Sequence, residues 1–249
     1  MANVRLGAKA VGSTVKIKVN GTVEDFIIIH QGKPSSVYDD SCNGTWLLMK
    51  DIYTTRNWDD SNCDYLNSDM TAYLNGTFIS LIDADIRNAI KQVKIPYINY
   101  SNDNVMSGSN GLSCKVFLLS GTEVGFSGVS YMATEGAKLS YFDSASKRIA
   151  YNGSSAANWW LRSPSSKGYV SVWGVYTDGS DRSLWCYDRY GARPAFVLPS
   201  SLVVSDDGTV STNTAPSTPW NISVPSSIMG GTNISISWAK SSDAESNLA

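Results

Sequence analysis

The nucleophilic and metal chemistry open to this sequence is limited by its single histidine, His30. A Ser-His-Asp or Cys-His arrangement would need His30 as its general base, because the chain offers no second imidazole. His30 directly follows the apolar run at residues 26–29, where a hydrogen-bonded structural histidine is the simpler interpretation. A zinc site needs three or four nitrogen and sulfur ligands at short spacing, and no such cluster occurs in the sequence. We therefore expect no catalytic triad, no metal and no cofactor.

Carboxylate chemistry is harder to dismiss, since a glycosidase needs only two acidic side chains. The sequence has three adjacent pairs, Asp39-Asp40, Asp59-Asp60 and Asp206-Asp207. Neighbours in sequence seldom face each other, and all three pairs lie in segments where Asp usually shapes turns. Turn formation is the favoured interpretation, and a carboxylate-dependent glycoside hydrolase stays as a weaker alternative. The Asp-rich segment at residues 177–181 lacks the full EF-hand pattern and is only a weak calcium candidate.

The cysteines are too sparse and too scattered for a disulfide framework. They are Cys42, Cys63, Cys114 and Cys186, and no two of them form a C-x-x-C pair. We expect them to be mostly reduced, with Cys42–Cys63 as the one bridge to consider.

The composition is typical of a β-rich extracellular or virion protein. The chain has 249 residues, enough for one large domain or for a medium domain with an appendage. Only 17% of its residues are charged, which is well below average. The net charge is −2 and no Lys/Arg run occurs, so nucleic acid is not an expected partner. Since the longest apolar run is far shorter than the roughly 20 residues of a membrane helix, no membrane insertion is expected.

The elements that would position these residues are those of an α+β fold. Residues 15–23 alternate apolar and polar side chains around Asn20-Gly21, which predicts a β-hairpin. Ser68 or Asp69 can cap one short helix, and Asp83 can cap a second. Afterwards short apolar runs separated by Gly, Ser, Asn and Asp predict an irregular sheet.

A change of composition marks a predicted domain boundary. Residues 211–219 are rich in Ser, Thr and Pro and are typical of an extended linker. Residues 220–249 resemble the first strands of a fibronectin type III or Ig-like module, and we expect a truncated all-β sandwich there. The main domain is then expected to span residues 1–210.

Two motifs enclose the most informative region of that main domain. They are W-W-L-R-S-P at residues 159–164 and G-A-R-P-A-F-V-L at residues 191–198. This pattern resembles a domain family of gut bacteria and their phages, some members of which look like variable proteins of diversity-generating retroelements. The resemblance covers about residues 7–210 and implies a C-type-lectin-like fold that serves as a scaffold for ligand binding. The E-P-N and W-N-D calcium motifs of lectins are absent, so calcium-dependent sugar binding is not implied.

Between these motifs the residues themselves predict an exposed, aromatic-rich surface. Strand alternation would turn Val170 and Val172 to the core and the residues between and beside them outwards. A hairpin near Asp178-Gly179 would fold the following segment back alongside. Rigid aromatic anchors beside adaptable polar groups are what binding surfaces select. The predicted ligand-binding residues are Tyr169, Ser171, Trp173, Tyr176, Asp178, Trp185, Tyr187, Asp188 and Tyr190.

Other residues of the motifs are predicted to be structural. Trp159 and Trp160 are expected in the core. Arg162 and Arg193 lie inside apolar motifs, and a buried guanidinium needs carbonyls or a carboxylate around it. Glu123, which follows a predicted core strand, is the candidate partner.

Taken together, these features predict a non-catalytic, adhesin-like protein on a phage virion or a bacterial surface. Its partner would be a host cell-surface protein or glycan. The alternative of a different class is a structural virion or cell-wall component whose aromatic face is buried in an oligomer contact.

Overall fold

The computed structural model of the chain describes residues 4–61, 63–165, 170–214, 220–223 and 237–239. The described chain is mostly β-sheet with a few short helices. Its strands are β1 (Val4–Arg5), β2 (Thr14–Val19), β3 (Thr22–Gln31), β4 (Thr45–Met49), β5 (Thr54–Arg56), β6 (Val93–Ile95), β7 (Tyr97–Asn99), β8 (Asn104–Met106), β9 (Leu112–Cys114), β10 (Val116–Phe117), β11 (Tyr151–Asn152), β12 (Ser155–Ala156), β13 (Trp159–Pro164), β14 (Ser171–Val175), β15 (Asp181–Trp185), β16 (Tyr190–Ala192), β17 (Ala195–Leu198), β18 (Leu202–Val204), β19 (Val210–Thr214), β20 (Trp220–Ser223) and β21 (Ser237–Ala239). Its helices are α1 (Asp69–Tyr73), a π-helical stretch (Leu74–Phe78), α2 (Ile79–Leu81), α3 (Ala84–Ala89), and 3-10 turns at Leu6–Ala8, Asp40–Cys42, Tyr65–Asn67, Gly108–Asn110 and Ala145–Arg148.

Two five-stranded sheets organise the described part of the main domain. The first has the order β10-β17-β4-β3-β2 and is antiparallel throughout. The second has the order β15-β14-β13-β16-β5, with β13 and β16 parallel and the other pairs antiparallel. The two motifs contribute to both sheets: β13 and β16 lie in the second, and β17 lies in the first. One hydrophobic core therefore joins the motifs.

The predicted N-terminal hairpin is present as β2 and β3. Asn20 and Gly21 form its two-residue turn, and both have positive φ, 51° and 76°. This is the backbone that a type I′ turn requires, and Asn-Gly is its preferred sequence. The hairpin places Val15, Ile17 and Val19 on the core face.

The predicted helix caps are also present. Ser68 Oγ accepts a hydrogen bond from Thr71 N at the start of α1, and Asp83 caps α3 by accepting from Asp85 N. Side chains that recur at every fourth position form the buried stripe of this helical layer. They are Met70, Leu74, Phe78, Ile82 and Ile86. Asn75 fixes the layer to the first sheet, since its Oδ1 accepts from Val116 N and its Nδ2 donates to Val116 O.

The C-terminal boundary differs in part from the prediction. Strand β19 pairs with β18 and continues through residues 211–214, so the first four residues of the predicted linker belong to a sheet with the main domain. Apolar residues at 202–204 supply β18 as a partner, which the local composition of 211–214 does not reveal. Residues 215–219 lie outside the described residues. Strands β20 and β21 pair antiparallel where two strands were predicted, and the remainder of 220–249 lies outside the described residues.

Among the helices that the structure describes, none has the length and apolarity needed to cross a membrane.

Replacing Gly21 by Ala should lower the free energy of unfolding by about 1 to 2 kcal/mol, because a Cβ disfavours left-handed backbone. A Cβ at Gly21 would meet nothing within 4 Å, so the cost isolates the backbone conformation. Gly76→Ala is the matched control, since Gly76 is equally open but lies in a helical segment with ordinary φ. That change should be neutral or stabilising by up to about 1 kcal/mol. Equilibrium urea unfolding measures both, and equal effects would argue against the turn.

Candidate functional site

The two motifs form buried strands that support the candidate site. All six residues of β13 are buried, and so are residues 191–198. Trp159 and Trp160 have no solvent exposure. Each indole N–H donates a hydrogen bond to a backbone carbonyl, Trp159 Nε1 to Arg148 O at 2.8 Å and Trp160 Nε1 to Arg56 O at 2.9 Å. The structure therefore places both tryptophans in the core, where the sequence predicts them.

Arg162 is fully buried at the centre of an ionic network. Its Nη1 and Nη2 donate to the two carboxylate oxygens of Glu123 at 2.7 and 2.8 Å, the contact that the sequence predicts for Glu123. Its Nε donates to Glu135 Oε1 at 2.9 Å and to Pro96 O at 3.0 Å. Sequence reasoning missed Glu135, because it lies in an irregular segment with no pattern of its own.

Both carboxylates of this network also accept hydrogen bonds from neighbouring hydroxyl groups. Tyr38 Oη donates to Glu123 Oε1 at 2.8 Å, and Ser163 Oγ donates to Glu135 Oε2 at 2.5 Å. Burial raises the pKa of Glu135 to about 7, although Arg162 and Ser163 act in the opposite direction. One guanidinium thus faces two buried carboxylates.

Arg193 is also buried, but its guanidinium donates to backbone carbonyls and not to a carboxylate. It does not contact Glu123; its Nε donates to Met49 O and its Nη2 to Lys50 O, both at 2.8 Å. The guanidinium carbon also lies 4.9 Å from the Trp159 ring centroid, a cation–π distance. Burial lowers the pKa of Arg193 to about 10. The candidate partner predicted from the sequence is therefore correct for Arg162 only.

Between the motifs, β14 and β15 form the predicted hairpin. Tyr176 N donates to Ser180 O at 2.8 Å, and Gly179 at the tip has a φ of +84°. Asp178 is exposed, and its Oδ1 accepts from Ser180 N and Ser180 Oγ. Asp178 therefore shapes the turn through contacts within the hairpin.

The predicted exposure of β14 is wrong. Ser171 is 8% exposed and Trp173 is 7% exposed, whereas Val170, expected to face the core, is 37% exposed. Trp173 Nε1 donates to Tyr131 O at 3.3 Å, because the irregular segment around Tyr131 lies across this face of the hairpin. Alternation within a strand cannot reveal that a segment 42 positions away covers its outer face. Tyr169 lies outside the described residues.

The remaining predicted residues do reach the surface. Tyr176 is 37% exposed, while Trp185 and Tyr187 are each 51% exposed and stack with ring centroids 5.9 Å apart. Asp188 and Tyr190 are half-buried, and Tyr190 Oη donates to Asp188 Oδ2 at 3.4 Å.

A cleft of about 300 Å³ lies beside this surface, where β13 and β16 begin and β14 ends. We call it the tyrosine cleft; it is lined by Thr55, Ala157, Asn158, Tyr176, Thr177, Arg189, Tyr190 and Gly191. Asn158 Oδ1 is buried and accepts a hydrogen bond from no described residue. Arg189 Nη2 donates to Thr55 O at 2.7 Å, and Arg182 lies over the Tyr176 ring at 5.1 Å. The cleft thus brings together ring faces, the Arg189 guanidinium and an amide oxygen, which suits binding of a polar ligand.

Several of these cleft residues were missed by sequence reasoning. Thr55, Asn158 and Arg189 carry no motif, and Thr55 reaches the site only because β5 pairs with β16. Only Arg189 could have been predicted from the sequence, because it directly precedes Tyr190, which was predicted to bind the ligand.

The aspartate pairs lie in turns and caps, as the sequence predicts. Asp39 Oδ1 accepts from Ser41 N, Asp59 Oδ1 from Ser61 N, and Asp207 Oδ1 from Thr209 N. The hydrogen bonds from Ser205 and Thr209 lower the pKa of Asp207 to about 2.

His30 and the cysteines are held in the interior or at its edge. His30 Nδ1 lies 2.6 Å from Ser140 Oγ, and burial lowers the His30 pKa. The four cysteines, all in the described part of the chain, are free and buried. The bridge considered between Cys42 and Cys63 does not match the structure: both cysteines are free, and Cys42 Sγ contacts Lys94 O at 3.2 Å.

Fold and site together define a β-rich domain that presents a polar, aromatic cleft on a buried ionic scaffold. A family model described as a domain of unknown function (DUF6273) matches residues 43–200, more than half of the chain, and the chain belongs to this family. The match includes both motifs and every residue of the tyrosine cleft. Neither a curated protein nor a solved structure matches the chain.

Replacing Arg162 by Met should lower the free energy of unfolding by about 3 to 5 kcal/mol, because Glu123 and Glu135 would be left without their buried cation. Arg182→Met is the control, since Arg182 is exposed and surface changes usually alter stability by less than about 0.5 kcal/mol. Chemical denaturation compares the two variants. Similar stabilities would show that the network does not hold the fold.

The raised pKa of Glu135 predicts a pH dependence of stability. The folded state binds the Glu135 proton more tightly than the unfolded state does. The stabilisation that this proton gives to the folded state is therefore complete below about pH 4.5, and it is lost as the pH rises towards about 7. Glu135→Gln cannot titrate, and its stability should fall less over this range. The measurement is the unfolding free energy of both proteins from pH 4.5 to 7.5; parallel curves would contradict the assignment.

Proposed function

We propose that the chain is a non-catalytic, adhesin-like binding protein that recognises a host cell-surface protein or glycan. The observation that supports this is a contrast in burial within residues 159–198. The flanking motifs are buried throughout, whereas the segment between them carries Tyr176, Trp185 and Tyr187, three of the five described aromatic side chains that are more than a third exposed. Exposed aromatics held on a rigid core are the usual anchors of recognition.

The chemistry of the tyrosine cleft fits this role better than a catalytic one. Its lining offers ring faces, hydroxyls, a guanidinium and an amide, and includes neither a carboxylate nor an imidazole among the described residues. The buried carboxylates Glu123 and Glu135 are both engaged by Arg162 and have no solvent contact. Binding without bond breaking is therefore the function that these groups support.

The fold part of the proposal is that the main domain has a C-type-lectin-like architecture. Support comes from the two motifs, whose resemblance implies that fold, and from the β-rich described chain with short early helices. Such a scaffold separates stability from specificity, since core motifs fix the backbone while the intervening segment supplies contacts. A location on a phage virion or bacterial surface follows from the same resemblance. A fibronectin-like module after residue 219 would then act as a spacer.

A second candidate, an oligomer contact, is favoured by one observation. Strand β15 is an edge of the second sheet and carries the stacked, half-exposed Trp185. Exposed strand edges readily pair with another chain. Sedimentation of the wild type and of Trp185→Ala separates the two functions: a monomer supports receptor binding, and an oligomer that dissociates in the variant supports the contact.

The binding role can be tested with intact cells of a panel of gut bacteria and fluorescently labelled protein. Tyr176→Ala, Tyr187→Ala and Arg189→Ala should each leave folding intact. Truncating an anchor should weaken binding by about 2 kcal/mol, roughly a 30-fold rise in Kd.

Tyr151→Ala is the matched control, because Tyr151 is 45% exposed but lies outside the segment between the motifs. It should bind as the wild type does. Wild-type binding in all three site variants would refute the proposed surface, and a lowered melting temperature in them would show that these residues serve the fold.

A further inference from the structure

A second cavity, of about 290 Å³, lies where β13 ends. We call it the Tyr131 pocket; its lining includes Ile98, Asp103, Tyr131, Met132, Pro164 and Ser165. It shares no lining residue with the tyrosine cleft, which lies where β13 begins. The two are therefore separate sites at opposite ends of one strand.

The walls of the Tyr131 pocket are held by the buried ionic network. Pro164 directly follows Ser163, whose Oγ donates at 2.5 Å to a carboxylate of that network. Ile98 lies two residues after Pro96, whose carbonyl accepts from Arg162 Nε at 3.0 Å. The pocket is thus built on a rigid support and does not need to form when a ligand arrives, which lowers the entropic cost of binding.

Two residues of the pocket have a backbone conformation that is uncommon for their type. Among the described non-glycine residues, three have positive φ, and one of them, Asn20, forms the N-terminal hairpin turn. The other two, Asp103 at 57° and Tyr131 at 66°, both line the pocket. Each is held by a hydrogen bond, from Asp103 N to Asn99 O at 2.9 Å and from Trp173 Nε1 to Tyr131 O at 3.3 Å. Such conformations persist where surrounding structure enforces them, and they cluster at ligand sites.

The polar groups of the pocket favour a positive charge. Tyr131 is 73% exposed, the highest exposure among the described aromatic side chains. Asp103 is exposed and is the one charged residue among the described residues that line the pocket. A carboxylate and the face of a tyrosine ring both attract cations. The network behind the pocket does not oppose this, because its one guanidinium faces two carboxylates.

The rest of the lining is mostly apolar and selects among cations. Ile98, Met132, Ala133 and Pro164 contribute hydrocarbon and thioether surface, and a methionine side chain adapts its shape readily. A primary ammonium is strongly hydrated and would lose hydrogen bonds against such a surface. A quaternary ammonium carries its charge beneath methyl groups, and aromatic side chains are its usual partners in proteins.

We propose that the Tyr131 pocket binds a trimethylammonium group, with the charge near Asp103 and the Tyr131 ring and the methyl groups against Ile98, Met132 and Pro164. Choline compounds and trimethylated lysine side chains share this chemistry. The site lies apart from the surface proposed for cell binding, so the two proposals stand or fall separately.

The test is a titration of isotope-labelled wild-type protein with choline, followed by amide NMR spectra. Signals of residues 131–133 and of Ser165 should shift and reach saturation. The matched probe is 3,3-dimethylbutanol, the neutral isostere in which a carbon replaces the choline nitrogen. Because it lacks the charge, it should bind about tenfold more weakly. Equal affinities, or no saturable shift with choline, would overturn the proposal without any variant.

Two variants assign the effect to the pocket. Asp103→Asn removes the charge at nearly constant shape, and Tyr131→Leu removes the ring face; each should weaken choline binding by about threefold to tenfold. Asp206→Asn and Tyr151→Leu are the matched controls, since both residues are exposed and neither lines the pocket. Melting temperatures check that all four variants fold. Wild-type affinity in both pocket variants, or equal losses in the controls, would refute the assignment.

The source of the group is distinguished by two further probes, phosphocholine and a peptide that carries trimethyllysine. Tighter binding of phosphocholine than of the peptide indicates a choline-bearing surface, and the reverse order indicates a modified protein. If both bind more weakly than the neutral isostere, the trimethylammonium assignment is wrong.

Discussion

The buried guanidinium of Arg162 is the constraint on which the rest of the main domain depends. It ties β13 to the carbonyls of Pro96 and Leu118 and to the carboxylates of Glu123 and Glu135. These groups come from segments with little regular structure. A buried charge is destabilising unless its hydrogen-bonding partners are held in good geometry. The network therefore fixes an irregular region that strand pairing alone would leave undetermined. A fully satisfied polar core of this kind favours one arrangement over its alternatives.

The geometry of the candidate site is fixed by this core. Because β13 is fixed on both sides, β14 and β16, its two neighbours in the second sheet, are fixed as well. The segment from β15, an edge strand, then crosses past β14 and β13 to β16, and Trp185 and Tyr187 within it face solvent while Leu184 and Cys186 are buried. This explains how stability and surface chemistry can be carried by adjacent residues: Trp160 is fully buried, and Tyr190, which packs edge-on against it at 5.1 Å, lines the cleft.

Features set by local chemistry were predictable from the sequence, and features set by long-range packing were not. The Asn20-Gly21 turn and the Ser68 and Asp83 caps follow from backbone preferences of a few residues. The coarse β-rich fold with short helices follows from periodicity. The burial of Trp173 and the approach of Thr55 to the cleft depend on segments far away in sequence, and Trp58 N likewise donates to Cys186 O across the fold. No local pattern encodes such contacts, so Ser171 and Trp173, two of the eight described residues that were predicted to lie at the surface, are buried.

The burial of Trp173 also limits where a binding surface can vary. Strand β14 is covered on both faces, and every residue from 171 to 175 is buried. A change there would alter packing against the Tyr131 segment or against Leu184, at a cost typical of core substitutions. Gly174 shows how tight this packing is, since a Cβ there would lie 2.8 Å from Trp159 O. Among the described residues 171–190, side-chain change without loss of the fold is thus open to the exposed positions of the hairpin tip, of β15 and of residues 187–189, and not to the buried Gly179 and Leu184. A recognition role would have to rest on those positions, around the tyrosine cleft.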